Sequence, residues 1–565
     1  MAPALVLEDV RFTYRGAVRP ALDGLSLAVE EGETVWLLGA SGSGRSTLAL
    51  ATNRIVPLHQ RGAFSGRLFH FGQPAEGRTV SELAGIVGEV FQDFESQIFG
   101  TRVDLEAAFG CENLGVPPKE MRRRVREALE RVGLAGFEQR DPVTLSGGEK
   151  QRLVIASVLA MQPKVLMLDE PTTDLDPLGR AAVWDVLREL KGQRRTLLLI
   201  EPETDEADLG ERIVVLEEGR KAEDGPSQAL LARASLLERL GVRAPDLAAL
   251  SERLALREPQ MSVEAMAEEI THAGMSLDLR ATQRILAGGG QAGAGEEVLR
   301  FEGVHHSYDG NEESLAGVDL VFREGEFAAI LGGNGSGKTT LAQLACGLLL
   351  PSRGRVLLRS EDVARIPVSL RGGQVGFVFQ NPDQQIFAPT VREEVSFAPR
   401  NFGFDESAVE SALKETLETV GLEGSEELDP FVMTRGDRQR VAVASTLAAG
   451  PRLLIMDEPT TGLDHRDQQR IMTLLGRLRD EGRTIIVITH AIGLASRWAG
   501  RLVVLHQGRV VADGPTREVL SSSSLIRQSA IRPPRIVQLA LRLGAPLLSV
   551  EELAGALQGG RSRES

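Results

Sequence analysis

The sequence predicts an α/β protein that contains two homologous nucleotide-binding domains in tandem. A Gly-rich phosphate-loop motif occurs twice, at Gly39–Thr47 and at Gly332–Thr340. Short apolar runs alternate with helix-like stretches in both halves, which is typical of an α/β fold. Matching positions recur with a constant spacing of 288 residues, which pairs Gln92 with Gln380, Glu170 with Glu458, and Pro202 with His490.

Length and composition limit the class of protein. A chain of 565 residues is too long for one hydrophobic core, so we expect several domains. Its 42% hydrophobic content is ordinary for soluble globular domains. No apolar run approaches the roughly 18 residues that a membrane-spanning helix needs. Met1–Val10 lacks the pattern of a secretory signal, so we expect none. The net charge of −15 disfavours general binding to nucleic acid. Cys111 and Cys346 lie in different halves, so we expect no disulfide framework and a reducing compartment.

The repeat also predicts where the domains begin and end. We expect a first domain over 1–240, a helical extension with a Gly-rich linker over 241–297, a second domain over 298–520 and a helical C-terminal extension over 521–565. The linker is expected to be flexible over Gly288–Gly295, and the tail to be disordered from Gly559. Pro245 and Pro534 hold matching places, so the two extensions belong to the repeat.

Individual elements follow from the apolar pattern. Thr34–Leu38 and Phe327–Leu331 are predicted strands that lead directly into the two phosphate loops. Val165–Leu168 and Leu197–Ile200 are further short strands, and Lys119–Val132 is a predicted helix.

The phosphate loops carry the first functional prediction. Their glycines let backbone N–H groups surround phosphate, and the following helix N-terminus favours negative charge. Lys338 is expected to reach the β- and γ-phosphates of ATP, and Ser46 and Thr339 to hold Mg²⁺. The predicted ATP-binding residues of these loops are Gly39, Ser41, Gly42, Gly44, Arg45, Ser46 and Thr47 in the first copy and Gly332, Asn334, Gly335, Gly337, Lys338, Thr339 and Thr340 in the second.

Two apolar strands end in a pair of carboxylates. Val165–Leu168 is followed by Asp169 and Glu170, and the matching strand of the second copy is followed by Asp457 and Glu458. The aspartates suit Mg²⁺, and the glutamates suit activation of the attacking water. Glu170 and Glu458 are therefore candidate catalytic residues.

The stretch Leu145–Arg152 reads Leu-Ser-Gly-Gly-Glu-Lys-Gln-Arg, which matches the signature motif of ABC ATPases. With the motifs above, it makes the chain resemble ABC ATPases across nearly its whole length. The resemblance implies a RecA-like α/β core, an antiparallel β subdomain and a helical subdomain in each domain. It also implies that the two domains pair head to tail, with each ATP between one domain's phosphate loop and the other domain's signature. Ser146, Gly147 and Gly148 would then contact the γ-phosphate.

The same resemblance assigns roles to several further residues. Tyr14 and Tyr308 lie where ABC proteins place an aromatic ring against adenine. Gln92 and Gln380 match the Q-loop glutamine, which contacts Mg²⁺ and responds to the membrane partner. His490 matches the switch histidine, which contacts the γ-phosphate, and is a candidate catalytic residue.

Three departures from the family pattern distinguish the two copies. Arg45 replaces the phosphate-loop lysine, Pro202 replaces the histidine, and the second signature has Thr434 and Arg435 before Gly436. Head-to-tail pairing would collect all three departures in one site. We hypothesise that this site binds ATP as a structural clamp and that the other site hydrolyses ATP. The alternative is that Arg45, a good phosphate ligand, supports hydrolysis together with the intact Glu170 and Gln92.

The Q-loop regions point to a subclass. Phe91–Phe99 and Phe379–Phe387, with the following Val391–Phe397, resemble energy-coupling-factor importers. That resemblance implies a peripheral ATPase at the cytoplasmic face of the membrane, which binds a transmembrane coupling protein and a small substrate-binding membrane protein. The imported molecule would be a vitamin or a transition-metal ion. The fused ATPase of a sugar importer and a soluble ribosome-associated ABC protein are the alternatives.

Overall fold

The computed structural model describes residues 2–173, 175, 177–256, 260–288, 295–308, 313–529 and 531–558. The chain forms two compact units, Met1–Pro259 and Gln260–Ser565, and each contains one copy of the repeat. Residues 260–288, which were predicted to belong to the extension of the first domain, therefore belong to the second unit. Residues 289–294 of the predicted flexible linker Gly288–Gly295, and the predicted disordered tail over 559–565, lie outside the described residues.

Two sheets form the centre of the first unit. An antiparallel sheet has the order β2-β1-β4-β5, and a six-stranded sheet has the order β10-β9-β3-β8-β7-β6, with β3, β6, β7, β8 and β9 parallel. The strands are β1 (Leu5–Tyr14), β2 (Leu22–Val29), β3 (Thr34–Gly39), β4 (Gly62–His70), β5 (Gln73–Pro74), β6 (Val87–Val90), β7 (Val165–Asp169), β8 (Thr196–Ile200), β9 (Arg212–Glu217) and β10 (Arg220–Pro226). Every residue of β7 and β8 is buried, as expected for central parallel strands.

The helices of the first unit are mostly short. They are α1 (Arg45–Thr52), α2 (Ile55–Leu58), α3 (Val80–Ala84), α4 (Val103–Asn113), α5 (Pro118–Arg131), α6 (Gly147–Ala160), α7 (Pro177–Gly192), α8 (Ser227–Leu231), α9 (Ala234–Arg239) and α10 (Asp246–Arg253). Helices α4, α5 and α6 pack against one another and form the helical subdomain. The predicted strands and the predicted helix at Lys119–Val132 are confirmed to within about one or two residues at each end.

The second unit repeats this plan. Its antiparallel sheet has the order β13-β12-β15-β16, and its six-stranded sheet has the order β17-β18-β19-β14-β20-β21. The strands are β12 (Glu297–His306), β13 (Leu315–Arg323), β14 (Phe327–Leu331), β15 (Arg353–Leu358), β16 (Glu361–Asp362), β17 (Val375–Val378), β18 (Leu453–Asp457), β19 (Thr484–Ile488), β20 (Arg501–His506) and β21 (Arg509–Pro515). In each unit one hydrophobic core is shared by the antiparallel and the parallel sheet.

The helices of the second nucleotide-binding domain follow nearly the same order as those of the first, with the helix Ile492–Trp498 standing where the first unit has only a 3-10 turn at Ala207–Leu209. They are α13 (Lys338–Ala345), α14 (Val368–Arg371), α15 (Val391–Asn401), α16 (Glu406–Val420), α17 (Arg435–Leu447), α18 (His465–Asp480), α19 (Ile492–Trp498), α20 (Thr516–Ser521) and α21 (Ser523–Ser529). Among the residues described above, no helix combines the length and the apolar character that crossing a membrane requires.

A small helical module completes the second unit. It consists of α11 (Val263–His272), β11 (Ser276–Leu277), α12 (Leu279–Gly288), α22 (Arg535–Arg542), α23 (Val550–Ala556) and β22 (Leu557–Gln558). Helix α11 packs against α22, α12 packs against α23, and β11 pairs with β22 in an antiparallel ladder. The segment that follows the first unit in the chain thus packs against the C-terminal segment.

Candidate active site

Both phosphate loops connect a buried parallel strand to a helix N-terminus. The last loop glycines, Gly44 and Gly337, have φ of 101° and 98°, a conformation that favours glycine. A Cβ atom on Gly337 would lie 2.4 Å from the carbonyl oxygen of Ser314, so a larger residue would force the loop to move. The predicted loop residues extend from the end of the strand, through the turn, into the first helical turn. Gly39, Ser41, Gly42, Ser46 and Thr47 follow this path in the first copy, and Gly332, Asn334, Gly335, Thr339 and Thr340 follow it in the second. Each turn can receive phosphate oxygens on backbone N–H groups.

The residue at the lysine position behaves differently in the two loops. Lys338 Nζ donates hydrogen bonds of 2.9 Å to the carbonyl oxygens of Gly332 and Gly333, so the ammonium group lies over its own loop. Arg45 instead extends to the carboxylate of Glu170, where one guanidinium nitrogen lies 3.6 Å from Oε1. A second guanidinium nitrogen of Arg45, Nη1, is buried and has no hydrogen-bond partner among the described residues. It is available to an anion bound in the loop.

A hydroxyl and a carboxylate meet beside each loop. Thr339 Oγ1 donates a 2.8 Å hydrogen bond to Asp457 Oδ2, and Ser46 hydrogen-bonds Asp169 in the first copy. Burial raises the pKa of both aspartates to about 6, because each carboxylate is held away from water. Asp169 Oδ1 is buried without a partner in the described part of the chain. These oxygen donors fit Mg²⁺, which takes carboxylate and hydroxyl oxygens together with nucleotide phosphates.

Glu458 is held by His490 at the end of β18. His490 Nδ1 lies 2.9 Å from Oε1, and the backbone N–H of His490 donates to Oε2 at 3.4 Å. Burial alone would raise the pKa of Glu458, but the His490 and Lys338 charges and the His490 hydrogen bonds lower it below its ordinary value. Glu458 has φ of 47°, a strained conformation that is shared by Glu170 at 50°. The geometry keeps an ionised carboxylate next to a histidine and a lysine.

Glu170 has different partners. Gln92 Nε2 donates a 2.9 Å hydrogen bond to its Oε2, while Arg45 lies beside its Oε1. Pro202 follows β8 at the place of His490 and offers neither a side-chain donor nor a backbone N–H. The neighbouring Glu201 is buried and accepts a 2.6 Å hydrogen bond from Thr172 Oγ1. The first copy therefore replaces the glutamate–histidine pair with a glutamate–arginine pair.

The two signature segments both begin a helix but differ in shape. Ser146 caps α6 and forms a capping box with Glu149, and Thr434 caps α17 by accepting from the backbone of Asp437. The Arg435 guanidinium lies against Gly462, since a Cβ atom on Gly462 would lie 2.6 Å from Arg435 Cζ. Gly147 and Gly148 have no side chains, so the N-terminus of α6 is open. At the N-terminus of α17, the matching positions are Arg435, which has a long side chain, and Gly436.

The two tyrosines lie next to the phosphate-loop helices. Tyr14 and Tyr308 each lie 3.1 Å, hydroxyl to hydroxyl, from Thr47 and Thr340 respectively. The Tyr308 side chain is 66% exposed, so one ring face is open to a base. In each copy the tyrosine lies beside the phosphate-loop helix, and the loop hydroxyl contacts the aspartate. Gln92 contacts Glu170 in the first copy, and Gln380 is exposed on the matching loop of the second.

The family model described as ABC transporter matches residues 22–173 and again residues 315–461. The chain belongs to the ABC transporter family. It is 41% identical over 556 residues to a protein of Caldanaerobacter subterraneus subsp. tengcongensis that is named as an ABC transporter ATP-binding protein, a match that covers 97% of this chain and 98% of that relative. A similarly named protein of Methanosarcina acetivorans is 38% identical over 578 residues, with 99% and 94% covered.

Solved structures of ABC proteins match single domains. The structure of cbiO1 from Clostridium perfringens, described as part of the ABC transporter complex cbiONQ, is 35% identical and covers 44% of this chain and 100% of its own, with a TM-score of 0.39. A post-hydrolysis ATP-binding cassette dimer bound to ADP and Pi is 29% identical, with a TM-score of 0.36. With the family established, the chain is an ABC-type ATPase, and its predicted α/β fold with two ABC domains is confirmed.

The Q-loops of this ABC ATPase are braced by residues that motif reasoning missed in the first copy. Glu106 accepts backbone hydrogen bonds from Phe99 and Gly100, and Glu394 accepts the equivalent bonds from Phe387 and Ala388. The aromatic rings at the two loops pair with a second ring on the following helix, Phe109 in α4 and Phe397 in α15. The internal repeat could have revealed both glutamates in the sequence, because each lies seven residues after the phenylalanine of its Q-loop.

A cavity of about 430 Å³ lies beside the first Q-loop. Phe91, Phe99, Phe109 and Met161 contribute apolar surface, and Gln97 fixes the loop by accepting the Phe91 N–H at 2.8 Å. Phe99 and Phe387 are 71% and 61% exposed. Exposed aromatic pairs of this kind mark interaction surfaces. Gln92 and Gln380 lie on the same loops and are exposed.

Proposed function

We propose that this ABC ATPase powers the import of a small molecule, a vitamin or a transition-metal ion, through an energy-coupling-factor-type membrane complex. In this proposal the chain lies at the cytoplasmic face of the membrane. It would bind a transmembrane coupling protein and a small substrate-binding membrane protein, and no nucleic acid.

The observation that carries the catalytic part of the proposal is the contact between Glu458 and His490. A general base has to lie near the attacking water and stay ionised, and the lowered pKa of Glu458 favours this state. Lys338 and the imidazole of His490 supply positive charge and a donor for the γ-phosphate. We therefore assign hydrolysis to the phosphate loop of the second domain.

We propose that the first domain binds ATP without turning it over efficiently. Arg45 remains a phosphate ligand, but its contact with Glu170 places a cation at the carboxylate that would activate water. Pro202 leaves no histidine to contact the γ-phosphate. Nucleotide held in this way would act as a clamp.

We further propose that the two domains pair head to tail, as the family resemblance implies. The signature Ser146–Gly148 would then complete the site of Lys338, and the signature with Thr434, Arg435 and Gly436 would complete the site of Arg45. Mg²⁺ would be held by Thr339, Asp457 and Gln380 in the first of these sites and by Ser46, Asp169 and Gln92 in the second. The bound ion would neutralise phosphate charge in the transition state.

The Q-loop surfaces support docking of membrane partners. An exposed aromatic pair lies at the same place in both domains, and in the first domain it borders the cavity described above. Coupling helices of the transmembrane protein would insert their apolar side chains there. The resemblance to energy-coupling-factor importers also implies that helical tails help hold the two ATPase domains together. In this chain residues 260–288 pack against the C-terminal segment as one helical module within the second unit, and we propose that this module has that role.

Co-purification of the full chain from detergent-solubilised native membranes tests this function. We expect one multi-spanning coupling protein and one small membrane protein, and we expect Phe387→Ala with Phe397→Ala to remove them. Phe431→Ala is the control, because Phe431 is an exposed phenylalanine outside the Q-loop. The aromatic pair Trp36 and Trp184 cannot serve as a control because both side chains are buried. Recovery of a sugar permease, or of ribosomes without membrane proteins, would contradict the proposal.

A further inference from the structure

A cleft of about 670 Å³ opens in the second unit between the helical subdomain and the core. The end of α16 and one residue of α17 form one wall, and one face of α18 forms the other. Its lining includes Gly421, Arg440, Gln469, Arg470, Thr473 and Arg477. None of the proposed nucleotide or membrane contacts uses this cleft.

One substitution between the copies changes the contact between the two helices that border the cleft. In the first unit α6 packs closely against α7, and a Cβ atom on Gly148 would lie 3.0 Å from the Cα atom of Gly179. Asp467 stands at the position of Gly179 in the second unit. A Cβ atom on Gly436 would lie 2.2 Å from Asp467 Oδ2, so this carboxylate occupies the space between α17 and α18. Those two helices correspondingly make few close approaches.

The charge of the wall also differs between the copies. The face of α18 that lines the cleft carries Gln469, Arg470, Thr473 and Arg477, and the matching positions of α7 are Ala181, Ala182, Asp185 and Glu189. Two acidic residues in the first domain are thus replaced by polar or basic ones, and two arginines are gained. The cleft face is therefore more positive in the second domain than the matching face in the first, which favours an anion.

An ion pair that crosses this region in the first unit is missing from the second. Arg131 Nε lies 3.1 Å from Glu189 Oε1 and ties the end of α5 to α7. Thr419 and Arg477 occupy these two positions in the second unit, so the link is absent and the side chain on α18 has the opposite charge. A ligand with negative charge would restore a connection between the same two helices.

The remaining lining groups leave room for such a ligand. Arg440 donates to the carbonyl oxygens of Val420 and Gly421 at 3.1 and 2.7 Å, and so it fixes the wall. Arg470 is 60% exposed and pairs with Asp467 at 3.0 Å. Glu418 is the one acidic residue among those that line the cleft.

We propose that this cleft binds a small phosphate-bearing anion. Arg470 and Arg477 would bind the phosphate oxygens, since guanidinium groups match phosphate geometry in paired hydrogen bonds, and Thr473 and Gln469 would add donors. The bound anion links α16 and α17 to α18 and thereby limits movement of the helical subdomain against the core. The proposal does not depend on what the protein imports.

Isothermal titration of inorganic pyrophosphate into the full chain tests the site. The protein is first saturated with Mg²⁺ and a non-hydrolysable ATP analogue, so that both phosphate loops are filled. We expect saturable binding that weakens about tenfold or more in Arg477→Glu, which corresponds to about 1.4 kcal/mol. Arg479→Glu is the matched control, because it makes the same charge change two residues away on α18, outside the cleft. It should change the affinity by less than about twofold.

The proposal would be overturned by no saturable binding, by equal weakening in Arg477→Glu and Arg479→Glu, or by a pyrophosphate affinity that falls as the ATP analogue is raised. The third outcome would place pyrophosphate in a phosphate loop. Arg470→Ala provides a second test with a smaller change, and circular dichroism of each variant verifies that the fold is retained. Loss of binding in Arg470→Ala with an unchanged spectrum supports the site, and unchanged binding contradicts it.

Discussion

The two nucleotide-binding domains share a fold but hold their candidate catalytic glutamates in opposite ways. In the second domain, Glu458 contacts His490, while the ammonium group of Lys338 lies over its own loop. In the first domain, Glu170 contacts Arg45 and Gln92, and no histidine follows β8. The comparison teaches that the same phosphate loop and carboxylate pair can be surrounded by different partners in two copies of one fold. The partner of the glutamate determines which chemistry it can perform.

The first domain also buries carboxyl groups that the second lacks. Burial raises the pKa of Glu89 and of Glu201 to about 7, and the matching residues of the second domain are Phe377 and Thr489. Asn53 donates a 2.9 Å hydrogen bond to Glu89. The first domain thus contains buried carboxyl groups whose burial is costly unless they are hydrogen-bonded, as Glu89 is to Asn53 and Glu201 is to Thr172.

The largest expected difference between the domains is in hydrolysis. Glu458→Gln should lower the ATPase rate about 1,000-fold or more, because the neutral amide cannot accept a proton from the attacking water. Glu170→Gln, the matched variant, should lower it less than about threefold. Steady-state phosphate release at saturating ATP measures both. Equal losses would end the asymmetric assignment and favour two working sites.

The head-to-tail proposal predicts that the signatures act on the opposite domain's nucleotide. Gly147→Arg copies Arg435 into the first signature and should lower the ATPase rate about 100-fold, since an arginine side chain displaces the γ-phosphate from the helix N-terminus. The reciprocal Arg435→Gly should leave the rate within about threefold, because it changes the site of Arg45. The reverse order of effects would show that each signature serves its own domain's nucleotide or none.

The buried carboxyl groups predict a pH-dependent stability of the first domain. The folded pKa of Glu89, about 7, lies above its ordinary value of 4.5, so its contribution is complete below pH 4.5 and is lost as pH rises through 7. The loss amounts to about 3 kcal/mol for a shift of this size. Glu89→Gln stays neutral and should reduce the fall in the urea midpoint between pH 5 and pH 8.

Glu76→Gln is the control for this measurement, because Glu76 is an exposed glutamate of the same unit. It should keep the wild-type pH dependence. A Glu89→Gln variant whose urea midpoint falls with pH as steeply as that of the wild type would show that Glu89 is ionised in the folded protein at pH 5.

The smallest expected effect concerns the adenine contacts. Tyr308→Leu should weaken ATP binding about fivefold, because the exposed ring gives up stacking area worth about 1 kcal/mol. Tyr14→Leu should act by a similar factor on the other site, and a fluorescent ATP analogue measures both affinities. Unchanged affinity in both variants would show that the tyrosines do not contact adenine. The two domains would then differ in nucleotide binding only through their phosphate loops.

The sequence by itself determined the repeated architecture. Strands such as Val165–Leu168 and Phe327–Leu331 were predictable because their apolar runs are local, and the motif glycines reveal turns that few other residues can adopt. The grouping of Thr339 with Asp457 followed from the same motifs, since loops at one edge of a parallel sheet lie together.

Only the tertiary structure decided which side chains touch across that scaffold. The pairing of Arg45 with Glu170, the brace from Glu106 to Phe99 and the position of Asp467 between α17 and α18 each join residues on different elements. The direction of a long side chain depends on packing and on competing partners, not on the local sequence pattern. The motifs therefore placed the catalytic groups, and the packing determined how the same motifs differ between the two halves.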